Sequence, residues 1–411
     1  MTDIRQGAAA PYDFTTMLDR REHDSIAADL RGGDFWTFPR CEIKPGFDPI
    51  PLWIADMNFK TAPCITEAIV RRTEHPIYGY FVPSDAYYDA IIRWQADSFG
   101  VTGLTRKNIG YENGVLGGVT SALRVLNPAH APVLVHSPTY NGFTSQLACN
   151  GYPTALSPLR EDENGVWRMD YEDMERQIRE KHIHTALLCS PHNPSGRVWQ
   201  RWELEQAMEL FRKYDVNVIS DEIWSDFTLF GSRHIPTQSV SEDARQRTVA
   251  FYAPSKTFNL AGLVGSYRIV YNGKMAEQLR GYEAMCHYND MNVLSMHALI
   301  GAYTLEGRAW VEQLRRVLEA NVERTVDFFR NEVQGVSLHK PEGTYVVVPD
   351  FTEWCRAHGK TMDELLCAGV EVGVLWRDGR LFHVPCGIRM ALGLPTEKLE
   401  EVLGRLKEHV L

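Results

Sequence analysis

Several things missing from this 411-residue chain narrow its class. No apolar run approaches the length of a bilayer span, and the opening stretch MTDIRQGAAAPYDF lacks the apolar core of a signal peptide. Neither membrane insertion nor export is therefore expected. Basic residues are not in excess: the net charge is −10. That removes the electrostatic footprint of a nucleic-acid binder. No C-x-x-C pair occurs, and the eight cysteines (41, 64, 149, 189, 286, 355, 367 and 386) are scattered. They read as reduced thiols of a cytoplasmic protein, not as a disulfide frame or a zinc site. Low-complexity segments and internal repeats are absent too. What remains, 44% hydrophobic and 23% charged, is the composition of a globular protein. The length implies one large unit and a smaller one.

The first fifty residues are polar and broken by Gly32-Gly33 and Pro45-Gly46, so 1–50 is expected to be a strap. Further on, short apolar runs alternate with amphipathic stretches. The runs are APVLVHSP (131–138), HTALLCSP (184–191), NVISDE (217–222), TVAFYAPS (248–255) and GSYRIVYN (265–272). Between them, MDYEDMERQIREK (169–181) and LEQAMELFRKYD (204–215) place apolar residues three and four apart. This alternation predicts an α/β fold with a mostly parallel sheet covered on both faces. A long segment near 305–333 predicts a connecting helix. Beyond it GTYVVVPDF, GIRMALGL and a helix from Thr396 predict a smaller α+β unit. The expected divisions are a strap over 1–50, a large unit over 51–300 and a small C-terminal one over 301–411.

Four unlike residues fall at or just after the ends of different predicted strands: Tyr140, Asn193, Asp221 and Lys256. In open α/β sheets that edge is where ligands bind. Each has an ordinary explanation when taken singly. Asn193 in PHNPSG suits a turn, Asp221 suits a helix cap, and Tyr140 suits a core. Together they describe a site. A lysine that acts covalently forms a Schiff base with a carbonyl. If the carbonyl belongs to pyridoxal 5′-phosphate, the ring also needs a carboxylate at its nitrogen and an N–H-rich cradle for its phosphate. Asp221 in VISDEIWSD is the candidate carboxylate, while Glu222 is expected to point to the other face. ENGVLGGVTSALRVL (112–126) is a glycine-bearing turn opening an apolar helix, with backbone N–H groups at Gly114, Val115 and Leu116 for a phosphate. Ser255 adds a hydroxyl, Tyr140 a ring for stacking, and Asn193 an amide for the ring oxygen.

SPHNPSGRVW, SDEIWSDF and APSKTFNLAGL, in that order, resemble the fold type I pyridoxal-phosphate enzymes of the aminotransferase superfamily. PLWIADMNF (51–59) and HPIYGYF (75–81) are similar to its bacterial carbon–sulfur β-lyase branch, the cystathionine β-lyase or MalY–PatB type. The resemblance spans most of the chain and implies a role for each residue. Lys256 becomes the covalent lysine, Asp221 the partner of the ring nitrogen, Asn193 and Trp224 the neighbours of the ring oxygen, and Tyr140 the stacking ring. Tyr80 is implied to reach the phosphate in a neighbouring subunit, which makes the enzyme a homodimer with a composite site. Arg389 in CGIRMALG is implied to clamp the substrate α-carboxylate, with Asn193 and Ala55 beside it; a guanidinium binds carboxylate bidentately. The implied substrate is a small amino acid, with no nucleic acid, membrane or metal involved.

Departures from the pattern cluster on the substrate side. Trp224 stands where the branch has histidine and many aminotransferases have tyrosine. Asn58 and Pro76 alter ADMDF and HGIFGY, and LFHVPCGIRM replaces a glycine-rich stretch. Val264 occupies a position where many aminotransferases carry a phosphate-binding arginine, which favours β-elimination over transamination. Trp53, Trp224, Tyr345 and His383 suggest an aromatic-lined mouth, although core packing explains each nearly as well. The expected activity is thus cysteine-S-conjugate or cystathionine β-elimination. An aminotransferase is the alternative, and a regulator that binds a transcription factor is the lesser one.

Overall fold

The computed structural model describes residues 12–28, 41–286 and 289–411. A seven-stranded sheet forms its centre, with strands β1 (Ile109–Glu112), β2 (Val133–Ser137), β3 (Thr154–Pro158), β4 (Thr185–Cys189), β5 (Asn217–Asp221), β6 (Thr248–Tyr252) and β7 (Ser266–Ile269). Across the sheet they run β1-β7-β6-β5-β4-β2-β3. β7 is antiparallel to both its neighbours, and every other pairing is parallel. All five apolar runs singled out above lie in this sheet.

Alternation along the strands explains why they read as continuous apolar runs. Val133 and Val135 pack with Val119 and Phe143 on one face, while Leu134 between them packs with Met174 and Ile178 on the other. β4 and β5 repeat the pattern: Leu187 and Ile219 face one side, Ala186, Leu188 and Val218 the other. Both faces are helix-covered, so both sides of a strand are mostly apolar, and the few polar strand residues, such as His136 and Ser220, are buried. The helix Arg201–Lys213 shows how the cover forms. Leu204, Ala207, Met208 and Phe211 make its buried stripe, and a capping box between Gln200 and Glu203 starts it.

The helix Leu305–Asn331 leads to the C-terminal segment, with Thr304 Oγ1 accepting from the Gly307 amide at its start. There the strand Ile388–Ala391 pairs antiparallel with Val346–Val347 and with Arg377–Asp378, and the helix Thr396–His409 packs against the long helix. The strands and both helices read from the sequence are all present.

Residues 1–11 and 29–40 of the expected strap lie outside the described residues. The Ile50–Pro51 strand pairs in parallel with Val374–Leu375, and the Lys44 amide donates to Glu371 O at 2.8 Å. Phe14, however, is buried between Phe59 and Trp310, so the polar segment contributes a core residue.

One expectation fails here. Cys41 and Cys367 form a disulfide, with Cα atoms 5.7 Å apart although the two residues are 326 positions apart in sequence. The residues beside Cys41 run along the C-terminal segment, and that tertiary neighbourhood brings the two sulfurs together. Sequence spacing carries no trace of it. The other six cysteines are free thiols. Among the described residues, no helix is long and apolar enough to cross a membrane.

Candidate active site

The strand order reverses at β2, whose neighbours are β3 and β4. Carboxyl ends of strands beside such a reversal border a crevice, and here they border a cavity of about 630 Å³. Tyr140 follows β2, Asn193 follows β4, Asp221 ends β5 and Lys256 follows β6. All four line that one cavity.

Lys256 sits on the short helix Pro254–Thr257, and its Nζ donates to Ala55 O at 2.9 Å. Burial, with Arg389 second, lowers its pKa to about 8, against the pull of Asp56 and Asp221. The motif around it is structural support. Thr257 Oγ1 donates to Asp226 at 2.8 Å, and the same carboxylate accepts from Trp94 Nε1 at 3.0 Å. Asn259 takes a left-handed backbone, φ 58°, and clasps Met57. Its Nδ2 donates to Met57 O at 2.8 Å, while its Oδ1 accepts from the Met57 amide at 3.2 Å. SKTFN and ADMNF are therefore two halves of one clamp that holds Ala55 over the lysine.

Asp221 accepts from the Ile223 amide at 3.0 Å and makes no ion pair among the described residues. Burial pushes its pKa up to about 7; the Ile223 hydrogen bond opposes this. Glu222 points the other way, as expected. It accepts from His234 Nε2 at 2.7 Å, Tyr252 OH at 2.6 Å and Ser220 Oγ at 2.9 Å. Burial alone would raise the Glu222 carboxyl, but His234 and these donors hold it below its usual range.

Asn193 is buried, and its Oδ1 faces no hydrogen-bond partner. Tyr140 precedes the helix Asn141–Cys149 and meets Phe143 edge-on, with centroids 5.3 Å apart. Gly142 is what lets its ring lie there, since a Cβ at that position would come within 2.3 Å of Tyr140 Cε1. The helix Gly114–Leu126 opens on the cavity at Gly114, Val115 and Leu116, with no side-chain cap and no acidic residue in its first turn. Gly114 has φ +73°, a turn that suits glycine. Such an uncapped start attracts phosphate, and Ser255 lines the same cavity.

Arg389 is buried and lines the cavity from the C-terminal segment. Its Nη1 donates to Trp53 O at 3.3 Å, its Nε has no partner, and its guanidinium lies 5.0 Å from the Phe382 ring centroid. Burial lowers its pKa to about 10. Trp224 and Trp53 also line the cavity.

Two residues read as part of the mouth do not belong to it. Tyr345 packs in the core against Trp224, centroids 4.8 Å apart, and His383 lines a separate cavity of about 270 Å³. Tyr80 does not reach the cavity of its own chain either and is fully exposed. The sequence reading missed Arg377, which lines the cavity beside Arg389.

The arrangement fits pyridoxal 5′-phosphate on four observations. A buried carboxylate lacks a cation. A buried amide oxygen lacks a donor. A helix start has no side-chain cap and no acidic residue in its first turn. A lysine amine is poised well below its ordinary pKa.

The sequence pattern of aminotransferase class I and II matches residues 48–406. The chain belongs to that family. It is 31% identical over 363 residues to the cystathionine beta-lyase PatB of Bacillus subtilis (strain 168), covering 88% of this chain and 92% of that one. A PLP-bound putative aminotransferase from Clostridium difficile 630 superposes with a TM-score of 0.88 at 31% identity, covering 98% of this chain and 100% of the other. The PLP-bound C-S lyase from Staphylococcus hominis also superposes with a TM-score of 0.88, at 26% identity, covering 99% and 100%. The fold type I architecture expected from the motifs is the architecture of this chain.

Proposed function

We propose that the chain is a pyridoxal-phosphate-dependent carbon–sulfur β-lyase, which splits an amino acid bearing a sulfur leaving group on Cβ into thiol, pyruvate and ammonia, with one water consumed. The observation that carries this reading is the meeting of Lys256, Asp221 and Arg389 in one cavity. Likeness to PatB and to the staphylococcal C-S lyase supports it. When bound, the cofactor supplies an electron sink for the pair left as the Cα proton departs.

The protein's own groups do the rest. Arg389 holds the α-carboxylate and thereby fixes which Cα bond faces Lys256. The Lys256 amine, with its pKa near 8, removes that proton and delivers a proton to the departing sulfur. Asp221 keeps a proton on the ring nitrogen, because a buried carboxylate is relieved by a cationic partner. Asn193 positions the ring oxygen, Tyr140 covers the ring face, and Trp224 packs beside them. Gly114, Val115, Leu116 and Ser255 take the phosphate. Ala55 and Asn193 flank the substrate. Val264 lines the cavity and supplies no positive charge, which supports elimination.

Tyr80 completes the site in a second copy under this reading. Ile77, Tyr78, Tyr80 and Val82 are all well exposed, an apolar surface suited to a homodimer interface. Residues 51–300 act as the cofactor-binding unit and 301–411 as a smaller unit bearing Arg389.

Holoenzyme incubated with L-cystathionine or S-methyl-L-cysteine is expected to release pyruvate with no keto acid added. Amino-group transfer to a keto acid without pyruvate formation contradicts the lyase reading and identifies an aminotransferase.

A further inference from the structure

Arg377 and Arg389 are direct cross-strand partners in the antiparallel pairing of the C-terminal segment. Residues paired in this way project from the same face of a sheet, and like charges there repel. Both line the active-site cavity, one half-buried and one fully buried. Neither forms an ion pair among the described residues, and Arg377 Nη1 and Arg389 Nε are buried without any hydrogen-bond partner. Leaving guanidinium donors buried and unpaired is costly. A fold that keeps two such groups side by side has an arrangement that anions relieve.

The two forks are mounted separately. Arg389 lies against Phe382, while Arg377 lies 5.4 Å from the Trp53 ring centroid. Asp378, the acidic neighbour of Arg377, is engaged elsewhere: its Oδ1 and Oδ2 accept from Arg380 Nε at 3.0 and 2.9 Å. One substrate α-carboxylate occupies one guanidinium bidentately, which leaves the second fork open.

We infer that Arg377 is a specificity-determining residue that receives a second anionic group, a carboxylate or comparable oxyanion, at the far end of the substrate's sulfur-linked side chain. This inference rests on the amino-acid substrate proposed above and narrows it to acidic S-conjugates. Neutral S-alkyl cysteines bind through Arg389 alone, whereas acidic conjugates span both arginines.

The test uses two probes of nearly equal shape, S-carboxymethyl-L-cysteine and S-carbamoylmethyl-L-cysteine, which differ in one negative charge. Binding to holoenzyme is followed by the change in cofactor absorption at low temperature, and turnover by loss of the probe. Wild-type protein is expected to bind the carboxymethyl probe about tenfold or more tightly than the carbamoyl probe, the ratio a charge-assisted hydrogen bond produces. Arg377→Gln should collapse that ratio to within about twofold while leaving affinity for the carbamoyl probe nearly unchanged, and Arg377→Lys should restore part of it. Equal binding of both probes by the wild type overturns the inference. So does an equal loss for both probes in Arg377→Gln, which would place Arg377 on the α-carboxylate. If neither probe perturbs an otherwise normal cofactor band, the amino-acid reading beneath the inference falls with it.

Discussion

At the sheet end of the cavity, chemically unlike side chains leave four different strands, and backbone or side-chain hydrogen bonds fix the lysine and the aspartate in place. At the other end two identical side chains sit opposite each other on adjacent antiparallel strands, with unpaired donors. The first end is preorganised for one fixed partner, which costs nothing to reorganise when that partner arrives. The second holds charge in wait for a ligand. Under the proposed reading, the proton chemistry rests on the sheet end and the hold on the substrate's anionic groups on the C-terminal segment, so a change in charge preference is to be sought there.

Substitutions can break this division. Asp221→Asn should retain cofactor yet lose about a hundredfold or more in kcat, the scale of removing one preorganised charge from a site; steady-state pyruvate release measures it. Arg389→Gln should lower kcat/KM by roughly ten- to a hundredfold, with a rise in KM from the lost charge-assisted bond and a smaller fall in kcat from the loosened Cα orientation. If Arg389→Gln instead spared KM and destroyed kcat, the arginine would belong to the chemistry and the two ends would not be separable.

The division also predicts a pH dependence for cofactor capture by apoprotein. The deprotonated Lys256 amine is the reactive form, and burial lowers its pKa to about 8. Capture should therefore rise with pH and reach half its limit near pH 8. There an ordinary lysine would be less than about 1% deprotonated. Stopped-flow absorbance across pH 6–10, the range around the reference lysine value, reads this directly; a rise that begins only near pH 10 would refute the lowered pKa. The smallest effect is expected at Val264, a β-branched residue with φ 51° on the cavity wall. Asparagine tolerates that left-handed backbone better, so Val264→Asn should stabilise the fold by up to about 1 kcal/mol in urea unfolding.

What was legible in the sequence follows the same line. Tyr140, Asn193, Asp221 and Lys256 each lie at or within a few residues of a strand end, and strands show as apolar runs, so order along the chain already implied one shared edge. Glu222 was readable for the same reason, since neighbours at a strand end face opposite sides. Arg377 was not readable, because its meaning comes from cross-strand register with Arg389. The Cys41–Cys367 bond depends likewise on which distant segments lie together. Tyr345 and His383 misled because an aromatic residue suits a core or a second cavity as well as a mouth. Phe14 shows the reverse, a core residue within a polar stretch that periodicity could not flag.

The most direct test of the account is where the cofactor attaches. Holoenzyme reduced with borohydride and digested should carry the cofactor's mass on the peptide containing Lys256, and Lys256→Ala should show neither that adduct nor the visible absorption band. An adduct mapped to any other lysine, or an unchanged band in Lys256→Ala, would contradict the assignment on which the whole site is built.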